Sequence, residues 1–262
     1  MKGGLICTIA ALLVGCVSTP GAPPPAVRGE LAPTGKLRVG LILSNQVLVT
    51  KDLKTGELQG VTVTLGKKLA DRLGVPFEPV GYPNPAALVK SFGASEWDIA
   101  FLAFDPARAK DVDFSPAYMV VDNTYLVPAG SRLQTADVAD RPGVKIAVPE
   151  RSAPDLFLSR NLKAAELVRV PGGADAALEV LRSGRADAYA ENAHMLSLYS
   201  ERLPGSRVLE GRYTVIQHAI ATPQGKAAGA QYVRQFVEES KADGTVRDAI
   251  AKANLHRANV GP

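Results

Sequence analysis

The chain has 262 residues, of which 46% are hydrophobic and 21% are charged. This ordinary globular composition excludes a disordered or fibrous protein, and the length suits one large domain or two modest ones. The net charge is only +4 and no basic block stands out, so we expect no nucleic-acid partner. Two cysteines and three histidines are too few for a disulfide framework or a typical zinc site, and we expect no metal or cofactor.

The N-terminus has the pattern of an export signal. A positive start precedes the apolar run Leu5–Leu13, which is too short to span a bilayer. The run ends in Leu13-Val14-Gly15-Cys16, which resembles a bacterial lipobox. The alternative is a short membrane anchor or a buried helix with a chance cysteine. We expect a signal peptide over 1–15 and a lipid on Cys16. The absence of an acidic residue directly after Cys16 favours the outer membrane, with the protein facing the periplasm.

Residues 16–35 combine the predicted lipidated cysteine with a proline-rich stretch. Five prolines lie between Thr19 and Pro33, with glycines among them. Such a composition favours extended, polyproline-like backbone. We therefore expect a tether without a core of its own.

The remainder of the chain alternates strand and helix patterns, and the same order occurs twice. Apolar runs predict buried strands, and apolar residues spaced by three or four predict helices. Strands are predicted at 37–43, 77–80, 98–102, 145–148, 166–170, 187–191 and 217–221, and helices at 61–73, 85–92, 152–161, 174–181, around 233–237 and at 246–255. This alternation is typical of mostly parallel sheets flanked by helices, and the repeat favours two similar α/β lobes.

Several short motifs add a family resemblance. Each is weak alone, but their order and spacing are specific. They are Gly56-Glu57-Leu58-Gln59-Gly60, Asp105-Pro106-Ala107-Arg108, Val112-Asp113-Phe114-Ser115, Ile146 to Ser152, Gly184-Arg185-Ala186-Asp187-Ala188 and Lys241-Ala242-Asp243-Gly244-Thr245. From Lys36 to about Leu255 the chain resembles the family 3 extracytoplasmic solute-binding proteins.

The resemblance implies a two-lobed periplasmic-binding-protein-like (type II) clamshell. Lobe one would comprise 36–122 plus 219–262, and lobe two 123–218. It also implies a monomeric receptor, not an enzyme, that captures a small polar, carboxylate-bearing solute of the amino-acid-like class. The partner would be the permease of an ABC importer, reached from the membrane through the lipid anchor.

Arg108 is the principal candidate ligand residue. Asp105 is a plausible helix N-cap and Pro106 a plausible first helical residue, which would place Arg108 against the positive end of the helix dipole. The residues themselves leave two roles open: a carboxylate-binding fork, or a surface ion pair with Asp105 or Asp111. The resemblance favours the first role, because the matching family arginine holds the solute's carboxylate.

A second candidate lies at the helix predicted from Ser152. Ser152 and Asp155 fit a capping box, and the free N–H groups of such a helix start favour an anion. Where the family has Gly-Thr-Thr, this chain has Arg151-Ser152-Ala153, which keeps one hydroxyl and adds a cation. The capping role and the anion-binding role are compatible.

Other positions depart from the family pattern. The aspartate that neutralises an amino acid's ammonium is replaced by Asn192, and a serine by Ala103. The aspartate and aromatic after the first strand are replaced by Ile42 and Asn45. Since Glu191 precedes Asn192 in a strand, we expect it to face the opposite side. The sequence thus favours an anionic or amide-like ligand over a zwitterionic amino acid.

The predicted cleft also takes in several other side chains. Phe101 is included among the candidate ligand residues, and Phe104, Gln46 and His218 fall nearby.

Two alternative functions remain. One is a periplasmic enzyme on the same fold, like cyclohexadienyl dehydratase, for which Glu191, Glu150 or Asp105 would be the general acid. The other is a lipid-anchored module that senses its ligand and reports it to another protein. No nucleophile elbow, phosphate-binding glycine loop or HExxH helix occurs in the chain.

Overall fold

The computed structural model describes residues 23–262. The predicted signal peptide, the lipobox and Cys16 therefore lie outside the described residues. Within 23–262, none of the helices combines the length and the apolar character that crossing a bilayer requires.

Helices and strands alternate along most of the chain. The helices are α1 (Pro25–Leu31), α2 (Val61–Leu73), α3 (Pro85–Lys90), α4 (Ala153–Asn161), α5 (Ala174–Arg182), α6 (Ala193–Ser200), α7 (Ala227–Ala242) and α8 (Thr245–Lys252). The strands are β1 (Leu37–Ile42), β2 (Thr50–Lys51), β3 (Leu58–Gln59), β4 (Phe77–Tyr82), β5 (Ile99–Ala103), β6 (Val112–Phe114), β7 (Met119–Val127), β8 (Lys145–Pro149), β9 (Glu166–Val170), β10 (Ala188–Asn192), β11 (Arg207–Val208), β12 (Thr214–Pro223) and β13 (Ala258–Val260).

Eleven of the strands described form one curved mixed sheet in the order β4-β1-β5-β12-β7-β10-β8-β9, with β6, β11 and β13 added at its centre, and β2 and β3 pair with each other in a separate two-stranded sheet. Strands β4, β1 and β5 pair in parallel at one end, and β10, β8 and β9 pair in parallel at the other. The central strands β12 and β7 are antiparallel to each other and to their outer neighbours. Each parallel group with its helices forms one lobe, which confirms the predicted two-lobed α/β fold.

The two long central strands join the lobes. Strand β7 carries the chain from lobe one to lobe two, and β12 carries it back. The predicted lobe boundaries, at 122/123 and 218/219, fall inside these strands. Register pairs His218 of β12 with Ala103 of β5, and Asn123 of β7 with Asn192 of β10. The joining strands thus bring side chains between the lobes.

Helix α2 shows how the local sequence determines where a helix forms and where it ends. Val61, Leu65, Leu69 and Leu73 are all fully buried, because their four-residue spacing places them on one helix face. Gly74 ends the helix in the left-handed region at φ 65°, and its N–H bonds the last carbonyls. The predicted range for this helix is confirmed.

The N-terminal segment corrects one prediction. Residues 16–35 were expected to be extended, but Pro25–Leu31 forms α1, which packs against α7. Leu31 is fully buried, and a Cβ on Gly229 of α7 would lie 2.8 Å from its Cδ2 atom. Proline is compatible with the first helical turn, where its missing N–H removes no bond, and the apolar residues Val27 and Leu31 then share one face.

Candidate ligand-binding cleft

The two lobes face each other across a cleft. Its empty space is about 610 Å³, counting the part open to solvent. Both lobes and the joining strands contribute to its lining. Five of the predicted ligand residues lie there: Asn45, Ala103, Arg108, Ser152 and Asn192. Predicted ligand residues from both lobes are thus brought together around one concave site.

Arg108 lines the cleft and is only 4% exposed. Its Nη1 donates to the Ala103 carbonyl at 2.8 Å, and its Nη2 donates across the cleft to the Arg151 carbonyl at 2.8 Å. Its Nε is buried and has no partner within residues 23–262. Burial lowers the pKa of Arg108 to about 10, so the guanidinium is still charged at neutral pH. Two carbonyl contacts leave part of its donor fork free for an acidic ligand.

The turn that carries Arg108 differs from the prediction. Asp105 accepts a hydrogen bond from the Ala107 amide at 2.8 Å, but only a single 3₁₀ turn, Arg108–Lys110, follows. No α-helix begins at Pro106, because β6 starts at Val112. The Asp105 carboxylate forms its ion pair with Arg160 of lobe two, not with Arg108.

Ser152 caps α4 in the predicted manner. Its Oγ accepts from the Asp155 amide at 3.2 Å, and the Asp155 carboxylate accepts from the Arg151 amide at 2.8 Å. Arg151 departs from the prediction, since its side chain is exposed and does not line the cleft. The backbone of Arg151 is in the left-handed region (φ 56°). Its carbonyl therefore accepts from Arg108 while its side chain lies in solvent.

Phe101 also departs from the prediction. It is fully buried in lobe one, with its ring 5.6 Å from that of Tyr118, and it does not line the cleft. Phe101 and Ala103 share one face of β5, but only Ala103 is at the strand end that opens on the cleft. Two residues of strand place Phe101 about 6.6 Å deeper.

Of the other side chains expected near the cleft, some line it and others do not. Phe104 is 42% exposed, and it packs edge-on against Phe114 outside the cleft. Gln46 is likewise absent from the cleft lining, whereas His218 lies in it. Asn45 lines the cleft while its Oδ1 accepts from the Val47 amide at 3.1 Å.

Glu191 and Asn192 both line the cleft, so the expectation that Glu191 faces away is wrong. Strand alternation ends at Asn192, because its side chain caps α6 by accepting from the Met195 amide at 2.9 Å. The Glu191 carboxylate folds back onto its neighbour, and its Oε1 accepts from the Asn192 amide at 2.9 Å and from the side-chain Nδ2 at 3.0 Å. Burial raises the pKa of Glu191 to about 7.

The joining strands add two polar side chains to the cleft. Asn123 is 1% exposed; its Nδ2 donates to the Val121 carbonyl at 3.0 Å, and its Oδ1 has no partner in the described part of the chain. His218 is 4% exposed, and its Nδ1 is likewise unpartnered there. Burial and the nearby Arg108 lower the pKa of His218 to about 4. The sequence analysis missed Asn123, for which an asparagine within the apolar run of β7 was the available signal.

Comparison with known protein families shows which family the chain belongs to. Residues 37–255 match the model of the bacterial extracellular solute-binding proteins, family 3. The chain belongs to this family. The family assignment confirms the resemblance found in the sequence motifs: this family 3 protein binds a solute outside the cytoplasm.

Individual relatives agree with this assignment. The ABC transporter glutamine-binding protein GlnH of Bacillus subtilis (strain 168) is 22% identical over 222 residues, covering 83% of this chain and 80% of GlnH. A mutant of ArgBP from T. maritima has the same fold, with a TM-score of 0.73, 24% identity and coverage of 87% and 99% of the two chains. The ancestral amino acid-binding protein AncCDT-1, described as a precursor of cyclohexadienyl dehydratase, is 26% identical with a TM-score of 0.70 and covers 85% and 97%.

Proposed function

We propose that this family 3 protein captures a small, carboxylate-bearing solute of the amino-acid-like class and delivers it to the permease of an ABC importer. The observation that carries this proposal is the buried, charged Arg108 in the cleft, with its Nε free of partners in the structure described. An arginine fork pairs with a carboxylate through two parallel hydrogen bonds, which gives both strength and orientation. The glutamine-binding and arginine-binding relatives support this ligand class.

Binding would replace a contact that the protein makes with itself. Arg108 Nη2 already donates to the Arg151 carbonyl, and Nη2 and Nε lie on one edge of the guanidinium. A solute carboxylate on that edge would displace the carbonyl and accept both donors. The capped N-terminus of α4 at Ser152 supplies a second anion-favouring group from lobe two. One solute would therefore contact both lobes, which favours the closed state over the open one.

The same proposal includes the lipid anchor and the periplasmic location. Cys16 is proposed to carry the lipid after removal of 1–15, with the outer membrane as the favoured site. Since α1 begins at Pro25, only the eight residues from Val17 to Pro24 separate the cysteine from the folded body. Even fully extended they span at most about 28 Å, so lobe one would lie closer to the membrane than a tether ending at residue 35 would allow.

Calorimetry with the standard L-amino acids tests the proposal. We expect one or a few to bind, and Arg108→Ala to weaken that binding by about 100-fold or more, because charge-assisted hydrogen bonds contribute about 1.5–3 kcal/mol each. Arg185→Ala, which removes an exposed cation of lobe two, is the matched control and should bind as the wild type does. Melting curves of both variants separate lost binding from lost folding. Unchanged affinity in a folded Arg108→Ala protein would refute the carboxylate role.

A dehydratase-like enzyme is the second candidate, favoured by one observation. Glu191 lies in the cleft with its pKa raised to about 7, which suits a general acid at neutral pH. The relation to AncCDT-1, a dehydratase precursor, adds to this. Incubation with cyclohexadienyl acids such as prephenate distinguishes the two functions. Release of an aromatic product that is lost in Glu191→Gln would establish the enzyme, and stoichiometric binding without turnover would establish the receptor.

A further inference from the structure

We propose that His218 is a second ligand for the acid group of the solute: the N–H of its ring donates a hydrogen bond to the carboxylate that Arg108 holds. This inference rests on the proposed function and adds a contact from a joining strand, β12, to those from the two lobes. The acid would then be bound by three elements, which are the turn after β5, the start of α4 and strand β12.

His218 lies on a joining strand at a position that lines the cleft. Along β12, Ile216 and His218 share the face that lines the cleft, whereas Gln217 between them is exposed on the opposite face. Register pairs His218 with Ala103 of β5, and the Ala103 carbonyl accepts from Arg108 Nη1 at 2.8 Å. The ring and the guanidinium are therefore neighbours at the lobe-one end of the cleft.

The ring is buried and lacks a hydrogen-bond partner at one nitrogen. His218 is 4% exposed, and its Nδ1 has no partner within residues 23–262. Most buried polar side-chain atoms in folded proteins are hydrogen-bonded, because a buried donor or acceptor that loses water and gains no partner is costly. Arg108 Nε, on the neighbouring guanidinium, is also buried and unpartnered in the described part of the chain. A solute that enters the cleft can supply a partner to both nitrogens.

The chemistry of Arg108 decides which kind of partner fits. A guanidinium only donates, so the solute group against it must be an acceptor, and a carboxylate offers two oxygens with several lone pairs. A lone pair of His218 turned toward that carboxylate would repel it, whereas an N–H would bind it. A neutral imidazole can carry its proton on either nitrogen, so the ring can present its N–H to the solute.

The charge of the ring agrees with this role. Burial and the nearby charge of Arg108 lower the pKa of His218 to about 4, so at neutral pH the ring carries one N–H and no charge. Arg108 supplies the counter-charge for the acid, and a second donor from a different element restricts how the carboxylate can lie against Arg108. Because β12 joins the lobes, this contact ties the acid end of the solute to the connection between them.

Calorimetry of the whole protein tests the contact. The probes are the standard L-amino acids, succinate and glutarate, and the tightest-binding compound is then used with the variants. His218→Phe keeps an aromatic ring without nitrogen, and we expect it to bind about 10-fold more weakly or worse, because it removes a hydrogen bond to a charged group. His218→Asn and His218→Gln place an amide N–H near the positions of Nδ1 and Nε2, so one of the two should bind within about 3-fold of the wild type. His256→Phe, at an exposed position outside the cleft lining, is the matched control and should bind as the wild type does.

Nuclear magnetic resonance gives a readout that a purely structural histidine would not change. The chain has three histidines, so protein with isotope-labelled histidine gives few ring signals, and those of His218 are the ones that His218→Gln loses. When the binding compound is added, we expect one ring N–H of His218 to exchange slowly with solvent and the ring to adopt a single tautomer. If His218→Phe does not fold, these signals and the Asn and Gln variants decide.

The outcomes separate this inference from the proposed function. Wild-type affinity in a folded His218→Phe protein, equally weak binding by all three His218 variants, or ring signals that the solute leaves unchanged would each overturn the role of His218. If Arg108→Ala abolishes binding in the same experiments, the carboxylate receptor still stands. Binding that survives Arg108→Ala would overturn the proposed function and this inference with it. If no compound of the panel binds the wild-type protein, both fail.

Discussion

Arg160 and Asp105 form an ion pair across the cleft. Arg160 lies on α4 of lobe two, and its guanidinium donates to the Asp105 carboxylate at 2.7 and 3.3 Å. Asp105 precedes the turn that carries Arg108, whose Nη2 also reaches lobe two. Arg108 of lobe one and Arg160 of lobe two therefore join the same two segments, the turn that begins at Asp105 and the region of α4.

The first prediction concerns this pair. Asp105→Asn keeps the acceptor for the Ala107 amide but removes the charge facing Arg160, so closure becomes less favourable. A partly exposed pair contributes about 1 kcal/mol, and we expect solute affinity to fall about 5-fold. Calorimetry measures the loss. Arg160→Gln should cost a similar amount, and the double variant no more than either alone. Additive losses, or a similar loss in the exposed control Asp111→Asn, would show that the pair does not act in closure.

The second prediction concerns α1. Leu31→Ala removes a fully buried side chain at the contact with Gly229 of α7, and we expect a loss of about 3 kcal/mol in the free energy of unfolding. Denaturant titration measures it. Arg28→Ala, which removes an exposed side chain of the same helix with one hydrogen bond to the Gly74 carbonyl, should cost less than about 1 kcal/mol. A loss for Leu31→Ala as small as for Arg28→Ala would mean that α1 does not pack stably on lobe one.

The third prediction separates core from cleft on β5. Phe101→Leu should lower the free energy of unfolding by about 1–2 kcal/mol, since it removes part of a buried aromatic pair, and leave solute affinity unchanged. Ala103→Ser should change the solute affinity and leave the free energy of unfolding nearly unchanged, because it adds a hydroxyl to the cleft lining at little cost in stability. Unfolding and binding are measured on both variants. A change of affinity in Phe101→Leu without one in Ala103→Ser would contradict the structure.

The fourth prediction is a pH dependence of stability. The pKa of His218 falls from 6.5 in the unfolded chain to about 4 in the folded protein, so between these values the unfolded state binds more protons. Stability is therefore lost as the pH falls from 6.5 to 4. Relative to His218→Gln, the wild-type free energy of unfolding should decline by about 3 kcal/mol over this window. His256→Gln, at an exposed position, is the control; it removes only the smaller contribution of His256 to the lowered pKa of His194, so it should differ from the wild type much less than His218→Gln does. Parallel pH profiles of wild type and His218→Gln would disprove the effect.

Most of the fold could be predicted from the sequence, because burial makes apolar residues recur along it at the spacing of a helix or a strand. The four-residue spacing of α2 and the apolar run of β1 each fix an element from local information alone. The strand–helix order then leaves few arrangements other than two α/β lobes. Helix α1 was missed because its stability comes from α7, about 200 residues away, and proline content alone indicated an extended chain.

The site could be predicted only in part. Arg108 and Ser152 follow strand ends, and the ends of parallel strands meet at one edge of a sheet, so their approach was foreseeable. Glu191 was placed on the wrong side because the alternation rule holds within a strand, and Asn192 is both the last residue of β10 and the cap of α6. Asn123 was missed because its place in the cleft depends on the register of β7 against β10, which no local pattern specifies.

The most direct test of the account is mass spectrometry of the solute that co-purifies with the protein. Wild-type protein and the Arg108→Ala and Arg185→Ala variants would be purified identically without refolding, denatured, and their small molecules quantified. We predict that the wild type and Arg185→Ala release close to one equivalent of a small carboxylate-bearing compound, and that Arg108→Ala releases far less. Equal amounts of one compound from all three proteins, or a compound without a carboxylate, would contradict the account.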